Sequence, residues 1–288
     1  MSWNTSRTDL FIPSVWSEAV RFGYDASAVF ASPLVSNRDY EGDISRYGDT
    51  VKINTASTPE VQKYTPFTKL KDADISTSSV DLAIDQSDAW MFKVDDVITA
   101  QQRGSLAAGA TAKEGRKLAV ATDFYMSGLI TASKAVDKST AVALTQAENL
   151  GEQIYTAGVL ELAQKLDDNL IPHNGRYLIV SPRIKKYLLH SPRFTAADAY
   201  GSSEPIRNGV IGRIAGFTVA VTTLMPKGAD MVAGHTDGLT IADQLVKTEA
   251  TREPQGFFDY VKGLHLYGGL LLEPKAIVTA AITDPPKS

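Results

Sequence analysis

Histidines, paired carboxylates and glycine-rich turns are the residues of this chain that could do chemistry, and each lacks the company that chemistry requires. The four histidines, His173, His190, His235 and His265, stand in separate segments. None shows the His-x-x-x-His or His-Glu-x-x-His spacing that sets two imidazoles on one helix face toward a metal. The stretch "HTDG" from His235 to Gly238 offers a His and an Asp for a metal or an acid–base pair. Set between two strand-like segments, it reads first as a solvated turn. Gly209, Gly212 and Gly216 in "GVIGRIAG" invite a phosphate-cradling loop. That loop needs a strand before it and a helix after, so that the helix N-terminus meets the anion. Here the glycines precede the strand-like "FTVAV", which is the wrong order. Asp95-Asp96 and Asp167-Asp168 fall at helix boundaries, where the helix dipole or plain solvation accounts for them. No nucleophile elbow and no Walker loop occurs, and the absence of cysteine removes thiolate ligands and nucleophiles. The expectation is a protein that is not an enzyme, with neither metal nor cofactor.

The charged residues that remain gather in "SNRDYEGDISRYGDTVKIN", Ser36 to Asn54. Arg38, Asp39, Glu41, Asp43 and Arg46 mix signs and run straight into the alternating "TVKIN". Such a segment is either a solvated loop or a subunit contact that uses charge to set register. The rest of the composition is ordinary for a folded chain: 288 residues, 43% hydrophobic and 22% charged. A net charge of −4 without a basic cluster argues against tight binding to nucleic acid, whose affinity comes from phosphate neutralisation. No apolar run reaches the roughly 20 residues of a membrane span.

Several elements must position these groups. Residues 1–35 read as an extended arm carrying one helix, "SVWSEAVRFG", with Val15, Ala19 and Phe22 on one side. "TVKIN" and "SSVDLAIDQ" alternate as two strands flanking a long polar middle. Together they make a β-hairpin whose arms could reach about 40–60 Å at ~3.3 Å per residue. An isolated two-stranded ribbon is marginal in water, so an ordered one needs outside support. "AWMFKVDDV" alternates again. From Asp96 to Ser133 the period becomes helical, with Leu118, Ala121/Thr122, Tyr125 and Leu129 on one face and Val120, Phe124 and Ile130 widening it. Gly104, Gly109 and Gly115 predict a bend or break in that helix. An α/β region follows. Thr145 and Glu148 form a capping box for the helix through "AENLGEQIYTAGVLELAQKLDD". "RYLIV" is a buried strand, "PRIKKYLLHS" a short helix, and "MVAGHTDGLTIADQ" two short strands. "FDYVKGLHLYGGLLLEPKAIVTAAIT" is one or two strands around Gly268-Gly269.

The order of these elements resembles the major capsid proteins of tailed bacteriophages, whose shell fold is named after phage HK97. The resemblance rests on wording too: "FIPSVWSEAV", "VSNRDYEGDISRYGDTVKI", "LAIDQSDAWMFKVDDV" and "GRIAGFTVAVTT" look like the phrases such coat proteins carry at corresponding places. It covers essentially the whole chain. It implies an α+β, HK97-like fold: an N-terminal arm over 1–39 and an extended β-hairpin loop over 40–85. A peripheral domain with a long backbone helix over 86–136 and 260–284, an α/β axial domain over 137–259 and a tail over 285–288 complete it.

The implied function is a structural protein that assembles as pentamers and hexamers into an icosahedral head enclosing packaged phage DNA. An encapsulin-type compartment shell is the alternative, and an α/β enzyme a weaker one. The implied partners are further copies of the chain, a separate scaffolding protein, a portal, a decoration protein and weak non-specific contact with DNA, with no membrane. The location is the virion, after assembly in the bacterial cytoplasm. Trp16, Arg38, Asp39, Tyr40, Glu41, Arg46, Lys63 and Tyr64 are the expected inter-subunit contacts. Lys63, Lys69 and Lys71 are also candidate lysines for the Lys–Asn isopeptide links some family members form. No partner Asn with an assisting carboxylate is identifiable here, and lysines on an exposed loop are ordinarily only solvated.

Overall fold

A computed structural model describes residues 13–40, 50–56, 63, 66, 77–95, 106–145, 149–190 and 210–284. Helix α1 (Pro13–Asp25) leads through turns to a two-residue strand β1 (Ser36–Asn37). Strands β2 (Thr50–Ala56) and β3 (Thr77–Ala83) pair antiparallel from Thr50↔Ala83 to Ala56↔Thr77, the hairpin that period-two alternation predicts. After β4 (Gln86–Asp95) comes the long helix α2 (Leu106–Ala132). Strand β5 (Asp137–Ala143) precedes a helical stretch in which α3 (Leu150–Ile154) passes through a π turn (Tyr155–Val159) into α4 (Leu160–Asp168). The remainder is β6 (Arg176–Val180), α5 (Pro182–Leu189), β7 (Val210–Ile214), β8 (Phe217–Val221), β9 (Met231–His235), β10 (Leu239–Arg252), β11 (Phe258–Leu271) and β12 (Ile277–Thr283). No helix among the described residues is long and apolar enough to cross a membrane.

The strands form a four-stranded sheet in the order β1-β10-β11-β4, a six-stranded sheet in the order β5-β12-β9-β6-β8-β7, and the β2-β3 ribbon. This pairing draws the internal boundaries elsewhere than the expected division at 137, 260 and 284. Strand β10, within 137–259, joins the sheet of β4 and β11, whereas β12, within 260–284, lies between β5 and β9. Segments expected as short strands are also longer. Strands β10 and β11 are 14 residues each, and β11 runs unbroken through Gly268-Gly269. Those glycines mark close approach. A Cβ on Gly268 would lie 2.1 Å from the Ala83 carbonyl, and one on Gly269 would lie 2.5 Å from Met126 Sδ. The sheet is thus sandwiched between the ribbon base on one face and α2 on the other.

Helix α2 does not break at Gly109 or Gly115, and Gly104 lies outside the described residues. Gly115 lets α1 approach: a Cβ there would meet the Val20 carbonyl at 2.1 Å and the Tyr24 nitrogen at 2.9 Å. That contact also turns α1 so that Val20 and Tyr24 are buried while Phe22, expected on the apolar side, is 74% exposed. On α2 the buried face is Leu118, Ala119, Thr122, Asp123, Met126 and Ile130, so Val120 and Phe124 lie outside the apolar stripe rather than widening it. Gly115→Ala is expected to destabilise the subunit by about 2 kcal/mol in urea unfolding, because overpacking outweighs the gain in helix propensity. Gly128→Ala, where an added Cβ meets nothing within 4 Å, should stabilise by roughly 0.5–1 kcal/mol.

In the α/β region Glu148 of the expected capping box lies outside the described residues, and the helix begins at Leu150. Asn149 takes a left-handed conformation (φ 53) before α3, and Thr145 donates its backbone N–H (3.0 Å) and its hydroxyl (3.3 Å) to Gln153 Oε1. "GVIGRIAGFTVAV" folds as a hairpin of β7 and β8 closed by Ala215-Gly216, both with positive φ (49 and 84). Positive φ at both central residues is the turn that matches strand twist. The turn after β9 is solvated at Asp237, which is exposed, but not at its histidine. His235 is 7% exposed, its Nε2 lies 2.6 Å from the Asn174 carbonyl, and its Nδ1 accepts from Asp237 N–H.

Candidate assembly interface

The expected contact residues fall on the arm and the ribbon, so the geometry there comes first. At the base of the ribbon, Val51, Ile53, Leu82 and Ile84 are buried against Ala242 and Leu266. One step outward, Val80 is already 39% exposed although it sits directly across from Ile53. Farther along the same segment Lys63 and Pro66 are exposed. Among the described residues, the hairpin's buried core contacts are those of Val51, Ile53, Leu82 and Ile84.

The arm is fastened from below by a buried carboxylate. Asp123, 2% exposed on α2, accepts the backbone N–H groups of Val29 (2.8 Å) and Ala31 (2.9 Å), and Phe30 adds a third donor. Burial pushes its carboxyl up to about 6, against the pull of those three donors. This clamp fixes the turn that carries Phe30 and Val35 into the core between α1 and the four-stranded sheet. Nothing in the sequence reading pointed to Asp123. The available signal was a carboxylate at helical spacing from Ala119 and Met126, on the face that has to be apolar.

A second polar cluster joins arm and sheet. Arg38 pairs with Asp243 Oδ1 at 2.5 Å, and His265 Nε2 lies 3.8 Å from Asp243 Oδ2. The Tyr24 ring meets His265 edge-on at 5.3 Å, and Tyr267 stacks on the other side at 5.0 Å. Burial by itself would raise the Asp243 carboxyl, but His265, Arg38 and Tyr24 overcome it and hold it well below the usual range. Burial, reinforced by the Asp243 charge, pushes the Tyr24 phenol up. The cluster does structural work: it pins the chain on either side of β1 to β10 and β11.

The expected contact residues fall into distinct settings. Arg38, expected to face another subunit, pairs within its own, with only 15% of its side chain exposed. Tyr40 is half-buried and packs at the ribbon base, and Asp39 is exposed with its N–H bonded to Asn37 Oδ1 at 2.8 Å. Lys63 is exposed. Trp16 lies in α1, with its side chain outside the described residues, and Glu41, Arg46 and Tyr64 fall outside them altogether. Of the described residues, Arg38 and Tyr40 sit at the ribbon base, while Asp39 and Lys63 are exposed. Missed by the sequence reading were three strongly exposed aromatics: Phe22 at 74%, Phe124 at 70% and Phe257 at 79%.

Comparison with known proteins gives this surface its context. The model of the phage capsid protein family matches residues 61–280. A solved chain from Mycobacterium phage Che8 is 29% identical, with 88% of this chain and 91% of that chain covered and a TM-score of 0.62. The capsid structure of cyanophage P-SCSP1u aligns over 91% of this chain and 90% of that chain, with a TM-score of 0.64 at 15% identity. A virus-like particle from Pyrococcus furiosus shares the fold at 12% identity, with 93% and 96% covered and a TM-score of 0.55. No curated protein matches. The fold is the HK97-like α+β architecture that the order of elements implied. The chain belongs to the phage capsid protein family, and its role is that of a structural shell protein of the virion.

Proposed function

We propose that the chain builds an icosahedral head as pentamers and hexamers, and that its ribbon lies on the next subunit. The observation that carries the ribbon's role is the fading burial along β2–β3: Leu82 and Ile84 fully buried, Val80 39% exposed, Lys63 exposed. A two-stranded ribbon is marginal alone, so an ordered one beyond Val80 requires a surface from another copy. The contacts between copies come from Trp16, Asp39, Glu41, Arg46, Lys63 and Tyr64, strung along arm and ribbon. Arg38 and Tyr40 hold the base in place from within. The peripheral unit is the four-stranded sheet with α1 and α2, and the axial unit, gathered about the five- and six-fold axes, is the six-stranded sheet with α3 to α5.

Assembly takes place in the bacterial cytoplasm with a separate scaffolding protein, a portal and a decoration protein. The head encloses packaged DNA, which the shell meets only through weak non-specific contact. A net charge of −4 supports that last point, since a wall that gripped phosphates would resist packaging. Velocity sedimentation of the expressed chain, with and without its scaffolding partner, tests the assembly. Particles or capsomers are expected, in yields that do not fall after nuclease treatment. A species that stays at the 31.0 kDa of one chain under all conditions would contradict it.

A further inference from the structure

The hairpin that joins β10 to β11 ends in an aromatic side chain, Phe257, that no described residue covers. The turn is closed by the Glu253 N–H on the Phe258 carbonyl (3.1 Å) and the Arg252–Asp259 ion pair (3.2 Å). Phe258 packs edge-on against Tyr260 at 5.2 Å, with Lys93 over both rings. Phe257 stands 79% exposed in the turn that Glu253 begins, outside the Arg252–Asp259 pair.

The complementary surface is on α2. Its outward face carries Lys113, Arg116 and Lys117, all exposed, followed by Val120 (49%) and Phe124 (70%). Even counting the Lys117–Glu114 pair (2.7 Å), this half of the helix is basic. Both patches lie toward the same end of the molecule. Helix α2 crosses Gly269 with Met126, and farther back, at Gly115, it touches Tyr24, which packs on His265. Its amino-terminal half therefore points along β11 toward Phe258 and the tip. Contact between two different patches is heterologous, and such contacts form a ring when the rotation between copies closes.

We infer that the β10–β11 tip of one copy docks on the amino-terminal half of α2 in a second copy, Phe257 covering Val120 and Glu253 meeting the basic stripe around Lys113. This rests on the shell reading and adds a specific contact to it. Aromatic anchors ringed by complementary charge are what assembled interfaces use for affinity and register.

The chain contains no cysteine, so cross-linking is free of background. Particles of the double variant Phe257→Cys/Val120→Cys are expected to give a ladder of covalent multimers on a non-reducing gel, while each single variant stays monomeric on the gel. Normal particles without the ladder would overturn the contact, as would dimers from Phe257→Cys alone, which mean that tip meets tip. If the double variant forms no particles, a charge exchange decides. Glu253→Lys is expected to lower particle yield roughly tenfold, with Lys113→Glu restoring it to within about twofold. Failure of that rescue overturns the contact. Particles seen for the unmodified chain show separately that the shell reading stands.

Discussion

Replacing residues 57–76 by Asn-Gly is expected to abolish particle formation while leaving the subunit folded. The physical basis is the register of the ribbon. Ala56 pairs with Thr77, so a two-residue turn closes β2 onto β3 without shifting a single pair. Val51, Ile53, Leu82 and Ile84 keep their burial, and that short hairpin depends on nothing beyond it. Removed is the outer ribbon with Lys63 and Tyr64, the reach proposed to lie on the next copy, while the proposed contacts of the arm remain. Far-ultraviolet circular dichroism and the urea midpoint of the shortened chain should stay close to those of the unassembled parent. Sedimentation should lose every species larger than a capsomer. A shortened chain that still forms closed particles would mean that the ribbon is dispensable.

Asp123→Ala is expected to have the largest effect on the subunit itself, a loss of about 4 kcal/mol. The substitution strands three buried backbone donors, each worth about 1–3 kcal/mol when left unmet. Proteolysis between α1 and β1 should accelerate first, since Val29, Phe30 and Ala31 lose their anchor. Asp123→Asn retains an acceptor oxygen but turns an amide N–H2 toward a backbone donor, and about 2 kcal/mol is expected.

The pH dependence separates this carboxylate from Asp243. The folded-state value of Asp123 is raised by burial from 3.8 to about 6. Its proton-linked stability is thus full below the unfolded value and is lost as the pH rises through 6, by about 3 kcal/mol. Asp243 is held below the ordinary value, so its contribution is present above about pH 4 and disappears as the pH falls further. Urea titrations of the unassembled subunit should therefore show stability falling between pH 4 and pH 6 in the parent. That limb should be absent in Asp123→Asn, whose acid limb is retained. An unchanged slope between pH 4 and pH 6 in the variant would remove Asp123 as its source.

What could be read from the sequence was what short periodicity encodes. The β2–β3 ribbon followed from Val51, Ile53, Leu82 and Ile84 alternating about a polar middle, and the helical stretches through α2, α3 and α4 from their apolar spacing. Motif phrases then carried the family. The errors arose where tertiary contact overrides local pattern. Gly115 reads as a helix breaker but is the point where the α1 backbone meets α2. Gly268 and Gly269 read as a turn, yet they are strand residues squeezed between the Ala83 carbonyl and Met126. Phe22 and Phe124 were placed on buried faces because helix periodicity fixes which residues share a side and not how the helix is rotated. Asp123 and the Arg38–Asp243–His265 cluster were invisible for a different reason. Asp123 lies 92 and 94 positions from the backbone donors it binds, and Arg38 lies 205 from Asp243, beyond any spacing rule.

As proposed, the subunit's own core holds only the base of the ribbon, and a neighbouring copy supports the rest. A cryo-electron microscopy reconstruction of assembled particles tests it most directly. The account predicts continuous density for the hairpin beyond Ala56 and Thr77 running over the neighbouring subunit, with Lys63 against that neighbour. A ribbon folded back on its own four-stranded sheet, with no contact to the next copy, would contradict it.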